Sequence, residues 1–397
     1  MTRPHVAPGR GGRWRRMADF WLGVPLVWLA GLARRRRAPP QAPRHIALLK
    51  TAAIGDMVLM SGPLRDLRLA HPRARITLLC GPSNAGMAAL LAEADEVVPL
   101  PIGRVDQALR VIGKRRFDLI IDFGAWPRLD ALYTLLARGA YRIGFATAGQ
   151  HRHALYHQAV PHSPARHELD NYRALLAAAG VASASPPRLV ARAPLDPATT
   201  RALGGRPYVV FHLWPGGSNA AAREWPLPRW LQLARAVMSQ DHGVVLTGAQ
   251  GDRAANERLM SLVQAHLLPG LPRPRILNLA GSSLAQTAAV LAGSAAAVCV
   301  NTGVMHMAAA LGVAVIGLHG ATAVARWGPV GPQAVAIAST VPGCGCLDLG
   351  FEPVPCDDCT SSISVEQVLA ALNAAAWRPA AAVRRDSAAQ PQVVQGA

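Results

Sequence analysis

Ala295-Ala296-Ala297-Val298-Cys299-Val300-Asn301-Thr302-Gly303-Val304-Met305-His306 decides how the chain is read. An apolar run of strand length, 295–300, stops at an Asn-Thr-Gly turn and gives way to a small-residue segment, 307–311, closed by Gly312. That order reads as a buried parallel strand feeding a helix. The free N–H groups of such a helix gather at the carboxyl edge of the strand and form an anion site there. Asn301, Thr302, Gly303 and His306 are therefore candidate binding residues.

The same alternation recurs on both sides. Toward the N-terminus, strands are expected at 45–49, 75–80, 96–100 and 119–122, with helices at 61–70, from Asn84, and at 104–114. The pattern fades through 141–197 and restarts. In the second set, strands 208–212, 243–247, 275–279, 295–300 and 314–318 alternate with helices at 230–239, from Asp252, and at 284–292. Short Gly/Pro-punctuated connections and right-handed crossovers make each set an open parallel sheet. The sequence thus predicts an α/β protein of two Rossmann-like domains, 44–197 and 198–377, joined by the Pro/Ala-rich link 185–197 and facing a central cleft. Residues 1–43 form an apolar and basic extension, and 378–397 an Ala/Pro/Gln-rich disordered tail.

Ligands of such sheets bind at the carboxyl ends of the strands, so the loops there carry the chemistry. In Lys50-Thr51-Ala52-Ala53-Ile54-Gly55-Asp56, Gly55 permits a sharp turn. Asp56 either caps the following helix or serves in the cleft as a general base. After the 208–212 strand, which ends at His212, come Pro215-Gly216-Gly217-Ser218 and Arg223-Glu224-Trp225-Pro226. Gly216, Gly217 and Ser218 can offer backbone and hydroxyl donors to phosphate, and Arg223 adds a fork-shaped cation. Thr247-Gly248 ends the next strand, and Asp252 is placed either to meet a ribose hydroxyl or to cap a helix.

These loops, in this order, resemble the motifs of glycosyltransferase family 9, which contains the ADP-heptose:lipopolysaccharide heptosyltransferases. The likeness spans about 44–372 and includes His319-Gly320-Ala321-Thr322 and Gly328-Pro329. It implies a GT-B fold and an inverting transfer of a heptose-like sugar from a nucleotide diphosphate sugar, such as an ADP-sugar, to lipopolysaccharide or a related envelope glycan. It assigns the base to Asp56 and leaving-group stabilisation to Arg223. The donor site would be lined by Lys50, Thr51, Gly55, His212, Gly216, Gly217, Ser218, Thr247, Gly248, Asp252, Asn301, Thr302, Gly303 and His306. Two positions depart from the family pattern: Arg223 stands where Lys is frequent, and Asn301 where an Asp is expected. No Asp-x-Asp motif calls for a divalent metal, and no cofactor is required for catalysis. The competing reading keeps the fold and discards the chemistry, as a sugar-nucleotide or glycan-binding protein.

Charge adds a partner. The chain of 397 residues carries a net +18, and about half of that excess precedes residue 45, in arginines that include Arg13, Arg15, Arg16 and Arg34 to Arg37. Between them runs an apolar segment, 20–33, which contains Pro25, Trp21 and Trp28. A spanning helix needs roughly 20 apolar residues. This shorter run suits a helix lying in an anionic membrane interface, with a signal or spanning segment and an ordinary packing helix as alternatives. The expectation is a cytoplasmic protein held peripherally at the inner membrane and close to a lipid-linked acceptor. Nucleic acid is not expected as a partner, because no aromatic platform or recognition helix accompanies the charge.

Cys344-Gly345-Cys346 and Cys356-Asp357-Asp358-Cys359 could hold a structural zinc or an iron–sulfur cluster, form disulfides, or remain free thiols. Cys80 and Cys299 read as small buried residues. The histidines at 151, 153, 157, 162 and 167 lack metal spacing and receive no catalytic role, with His167-Glu168 beginning a helix through Tyr172 and Leu175.

Overall fold

A computed structural model describes residues 17, 19–32, 36–102, 104–137, 139–217, 219–265, 276–348 and 358–375. Six strands, β1 (His45–Lys50), β2 (Arg75–Cys80), β3 (Glu96–Pro99), β4 (Leu119–Asp122), β5 (Tyr141–Ala146) and β6 (Gln158–Pro161), form one sheet in the order β3-β2-β1-β4-β5-β6. Six more, β7 (Tyr208–His212), β8 (Gly243–Thr247), β9 (Ile276–Asn278), β10 (Ala296–Val300), β11 (Val315–His319) and β12 (Ala334–Ala338), form the second in the order β12-β11-β10-β7-β8-β9. All pairings are parallel. Both halves therefore repeat one winding, and in each the chain reverses direction across the sheet between its first and fourth strands. Those two places, β1/β4 and β7/β10, are where a crevice opens.

Every residue of β7, β8, β10 and β11 is buried. That is the signature of a parallel sheet covered on both faces, and it explains why these strands read as continuous apolar runs. On one face of the second sheet, Trp225 and Trp230 pack edge to face at 5.1 Å beneath the helix Leu227–Ser239. The helix Val365–Ala374 closes the same core with Val365, Val368 and Leu372. A second core is continuous across the halves, since Met57, Val58 and Leu64 belong to the same cluster as Val304, Met305 and Met307.

The faded stretch is structured. β5, β6 and the helix Glu168–Ala178 occupy it and complete the first sheet. The link 185–197 is tied down at its start: Asp66 accepts from the Ser183 hydroxyl at 2.8 Å and from the Ala184 and Ser185 amides at 2.9 and 3.0 Å. Five further elements escaped the periodicity: the helices Arg128–Leu136, Pro197–Leu203, Val324–Trp327 and Val365–Ala374, and β12. Within the extension, Gly23–Leu32 is helical and packs on the first half through Val27 and Ala30. Among the described residues no helix is long and apolar enough to cross a membrane. The expected tail, 378–397, lies outside the described residues.

Candidate active site

β1 delivers Lys50 to the carboxyl edge of the first sheet, and Ala53, at φ 71°, turns the chain into the helix Ile54–Leu59. Asp56 sits in the first turn of that helix without capping it. Its carboxylate instead pairs with Lys50 Nζ at 2.8 Å, the two side chains being 15% and 8% exposed. Lys50 Nζ also donates to the Phe123 carbonyl at 3.1 Å and lies 5.3 Å from the centre of the Tyr172 ring. Its position is thereby fixed from three sides, and Asp56 is fixed with it.

Thr51 donates its hydroxyl to the buried carboxylate of Asp130, at 2.8 and 2.7 Å from the two oxygens. Burial, and then the neighbouring charge of Asp122, push the Asp130 carboxyl up to about 7. Asp122 is itself paired with Arg152 and accepts from the Tyr156 hydroxyl at 2.6 Å. Behind the Lys50-Thr51 loop there is thus a buried polar network in which each acid has a partner, as burial of charge demands.

From the other half, β10 ends at Asn301 and the helix Gly303–Ala310 begins after Thr302. The two helix starts meet across the cleft. A Cβ on Gly303 would come within 2.8 Å of Ile54 Cβ and 2.9 Å of the Gly55 nitrogen, and a Cβ on Gly55 within 2.9 Å of His306 Cδ2. Glycine at both positions is what allows the approach. The Thr302 hydroxyl, His306 Nδ1 and His319 Nε2 are buried there without a hydrogen-bond partner among the described residues. Burial, helped in acid by repulsion from His167 and His319, lowers His306 to about 3; burial likewise lowers His319 to about 4, so both rings are neutral at pH 7. Asn301 donates its side-chain amide to the Trp327 carbonyl at 3.2 Å and faces His319 Nδ1 at 3.4 Å.

At the ends of β7 and β8, His212 Nδ1 meets the Thr247 hydroxyl at 2.9 Å, and burial lowers the ring to about 4. The Thr247 hydroxyl also lies within donating distance of the Phe211 carbonyl, at 3.3 Å. Arg223 donates to the carbonyl of Gly216, and Gly217 has φ 87°, a left-handed conformation that glycine tolerates best. Ser218 lies outside the described residues. Gly248 lies against the Asp252 side chain, and the Asp252 carboxylate accepts from the Ala249 amide at 2.8 Å, as a helix-capping acid does.

Of the four late cysteines, Cys359 is disulfide-bonded, Cys344 and Cys346 are half-buried thiols outside any disulfide, and Cys356 lies outside the described residues. Cys344, Cys346 and Cys359 share one small cluster with Ala321 and Leu347. Among the described residues no three His, Cys, Asp or Glu side chains converge to hold a metal ion.

The sequence reading passed over the contact that ties the halves together. Arg326, in the short helix Val324–Trp327 after β11, pairs with Glu168 of the first half, donates to the Arg166 carbonyl at 3.1 Å, and meets Asp348 at 2.7 Å. His162 shares Glu168 at 3.1 Å, and His167 Nε2 lies 3.0 Å from the Gly328 carbonyl. Burial opposes ionisation of Glu168, but the His162 hydrogen bond and the Arg326 charge prevail and hold it at about 2. The available signal was weak: Glu168 follows a candidate cap, and Arg326 precedes the Gly328-Pro329 pair.

Two wound parallel sheets whose helix starts meet at Gly55 and Gly303 make a GT-B fold. The model of glycosyltransferase family 9 (heptosyltransferase) matches residues 105–348, and the chain belongs to that family. Lipopolysaccharide heptosyltransferase 1 of Pseudomonas aeruginosa is 29% identical over 324 residues, which are 76% of this chain and 86% of that protein. The structure of ADP-heptose lipopolysaccharide heptosyltransferase II of Escherichia coli superposes with a TM-score of 0.66 at 21% identity, covering 87% of this chain and all of that one. A second E. coli heptosyltransferase, solved with ADP, gives a TM-score of 0.63 at 21% identity, over 84% of this chain and 100% of that chain.

Proposed function

We propose that the protein transfers a heptose-like sugar from an ADP-sugar to a lipopolysaccharide or related lipid-linked glycan, with inversion and without a metal ion, as a peripheral protein of the inner membrane's cytoplasmic face. The observation that carries the reading is that the helix start bearing the Lys50-held Asp56 meets the Thr302-Gly303 helix start, through Ile54 and Gly55 against Gly303. Asp56 takes the proton of the acceptor hydroxyl as its oxygen attacks the anomeric carbon. The bond from that carbon to the diphosphate oxygen breaks on the opposite face, and the electron pair leaves with the nucleoside diphosphate. Arg223 and the N–H groups at the start of Gly303–Ala310 meet the developing charge. Polar atoms buried without partners at Thr302, His306 and His319 support a ligand at this edge, because such atoms cost roughly 1–3 kcal/mol each when left unpaired. The ADP bound to one related heptosyltransferase supports the choice of nucleotide.

Nucleotide release from ADP-heptose, measured with a purified envelope glycolipid, tests the assignment of the base. Asp56→Asn is expected to slow turnover by roughly 10²–10⁴-fold, the range for a lost general base, with donor affinity held within about twofold. Turnover at the wild-type rate would remove Asp56 from the reaction.

A further inference from the structure

The N-terminal helix divides its residues between two environments. Gly23, Val27, Ala30 and Gly31 face the first half: Val27 is fully buried, a Cβ on Gly23 would lie 2.9 Å from Arg128 Cδ, and one on Gly31 would lie 3.1 Å from Ala154. Asp19, just before the helix, pairs with Arg128 Nη1 at 2.7 Å and accepts from the Arg128 amide at 3.1 Å, while the Arg128 guanidinium lies 5.3 Å from the Phe20 ring centre. Arg128 also donates to the carbonyls of Gln150 and Gly149, both at 3.0 Å. The opposite side of the segment presents Phe20, Trp21, Leu22, Leu26, Leu29 and Leu32, of which Trp21, Leu22 and Leu29 are 65–68% exposed and Leu32 is 83% exposed. Trp28 stands between the two sides, half-exposed against His151 and His153.

Apolar side chains this large and this contiguous are not left in water without an occupant. The flanks identify it. Arginines bracket the helix, at Arg10, Arg13, Arg15 and Arg16 before it and Arg34 to Arg37 after it, with Asp19 as the one acid between. Asp19 is already neutralised by Arg128. An apolar face with tryptophans, in a segment whose flanking sequence is rich in arginine and holds one acid, complements a bilayer whose surface is anionic.

We infer that the outer face of this helix is a docking surface for an anionic lipid bilayer. Because the inner face is built into the first half by a buried ion pair and two close glycine contacts, the helix acts as a fixed foot and not as a tether. Docking therefore sets the orientation of the first half, and of the Lys50-Thr51 loop at its sheet edge, relative to the lipid plane. The inference deepens the membrane association proposed above and rests on that reading for the identity of the membrane; bilayer binding and sugar transfer are measured apart, so either can fail alone.

The full-length protein is sedimented with vesicles of phosphatidylethanolamine and phosphatidylglycerol, and with vesicles of phosphatidylcholine alone. Binding is expected to the anionic vesicles, to weaken at least tenfold in the second set, and to weaken with added salt. The double variant Trp21→Glu, Leu29→Glu is expected to lose tenfold or more of its vesicle affinity while its melting temperature and its transfer rate to a delipidated acceptor stay at the wild-type value. Equal vesicle binding by this variant would overturn the inference. So would a wild-type protein that ignores vesicles and self-associates through this face, with the variant becoming monomeric.

Discussion

Asn301 uses the one chemical property that separates it from aspartate. Its amide donates to the Trp327 carbonyl, and no carboxylate could make that bond. Asn301→Asp would set a negative charge against that carbonyl and beside His319, whose ring burial keeps neutral. The variant is expected to lose about 1–3 kcal/mol at pH 8, the cost of a broken buried hydrogen bond, and to recover part of it near pH 6 as the new charge draws a proton onto His319. Melting curves at the two pH values decide this, and an equal loss at both would exclude His319 as the partner. The sequence singled out position 301 because a strand visibly ends there. It could not supply Trp327, which reaches the site from the end of the helix Val324–Trp327, 26 residues further on. Asp56 was legible as a cleft acid for the same reason, but capping and catalysis compete for any Asp before an apolar run. Only the Lys50 contact separates them.

Among the elements, the helices Ile54–Leu59 and Gly303–Ala310 form the proposed site by meeting start to start. Both positive ends point into one crevice, which favours a dianionic leaving group more than either end alone. Gly303→Ala tests the approach. The added methyl would meet Ile54 Cβ and a backbone nitrogen, neither of which can rotate away. Turnover is expected to fall at least tenfold with the melting temperature lowered by no more than a few degrees, as kinetics and calorimetry on the same sample would show. Full activity would mean that the halves react without this contact. Elements with an unbroken apolar run, β2, β4, β7 and β8, were legible residue for residue. β6 was not: only Val160 of its four residues is buried, and an edge strand that short leaves no periodicity to read. β5 was masked by Gly144, which is glycine because the Tyr156 ring fills the space a Cβ would take.

For the whole molecule, buried ionisable groups set the pH range of the fold. His212 and His319, at about 4, and His306, at about 3, have folded values below the ordinary 6.5. Their contribution to stability is complete above 6.5 and is lost as pH falls through those values. Asp130 acts in the opposite sense. Its raised value of about 7 favours the fold at low pH and is lost as pH rises from 3.8 through 7. Between pH 7.5 and 5 the unfolded chain gains nearly a full proton on each of three imidazoles while the folded chain gains at most one, on Asp130, so acid wins as a destabiliser. Calorimetry of the ligand-free protein should show a melting temperature lower at pH 5 than at pH 7.5, and His212→Asn should flatten that difference. A melting temperature constant over this range would contradict the three neutral rings. The Glu168–Arg326 tie between the halves persists through the same window, since Glu168 titrates only near 2.

The contact between Gly55 and Gly303 also constrains how this chain can change over generations. Each residue is small because of a neighbour in the opposite half: Gly303 is limited by Ile54 and the Gly55 backbone, and Gly55 by His306. Neither position can drift to alanine alone without parting the two halves. Each is therefore held small by a neighbour in the other half, although the two are separated by most of the sequence.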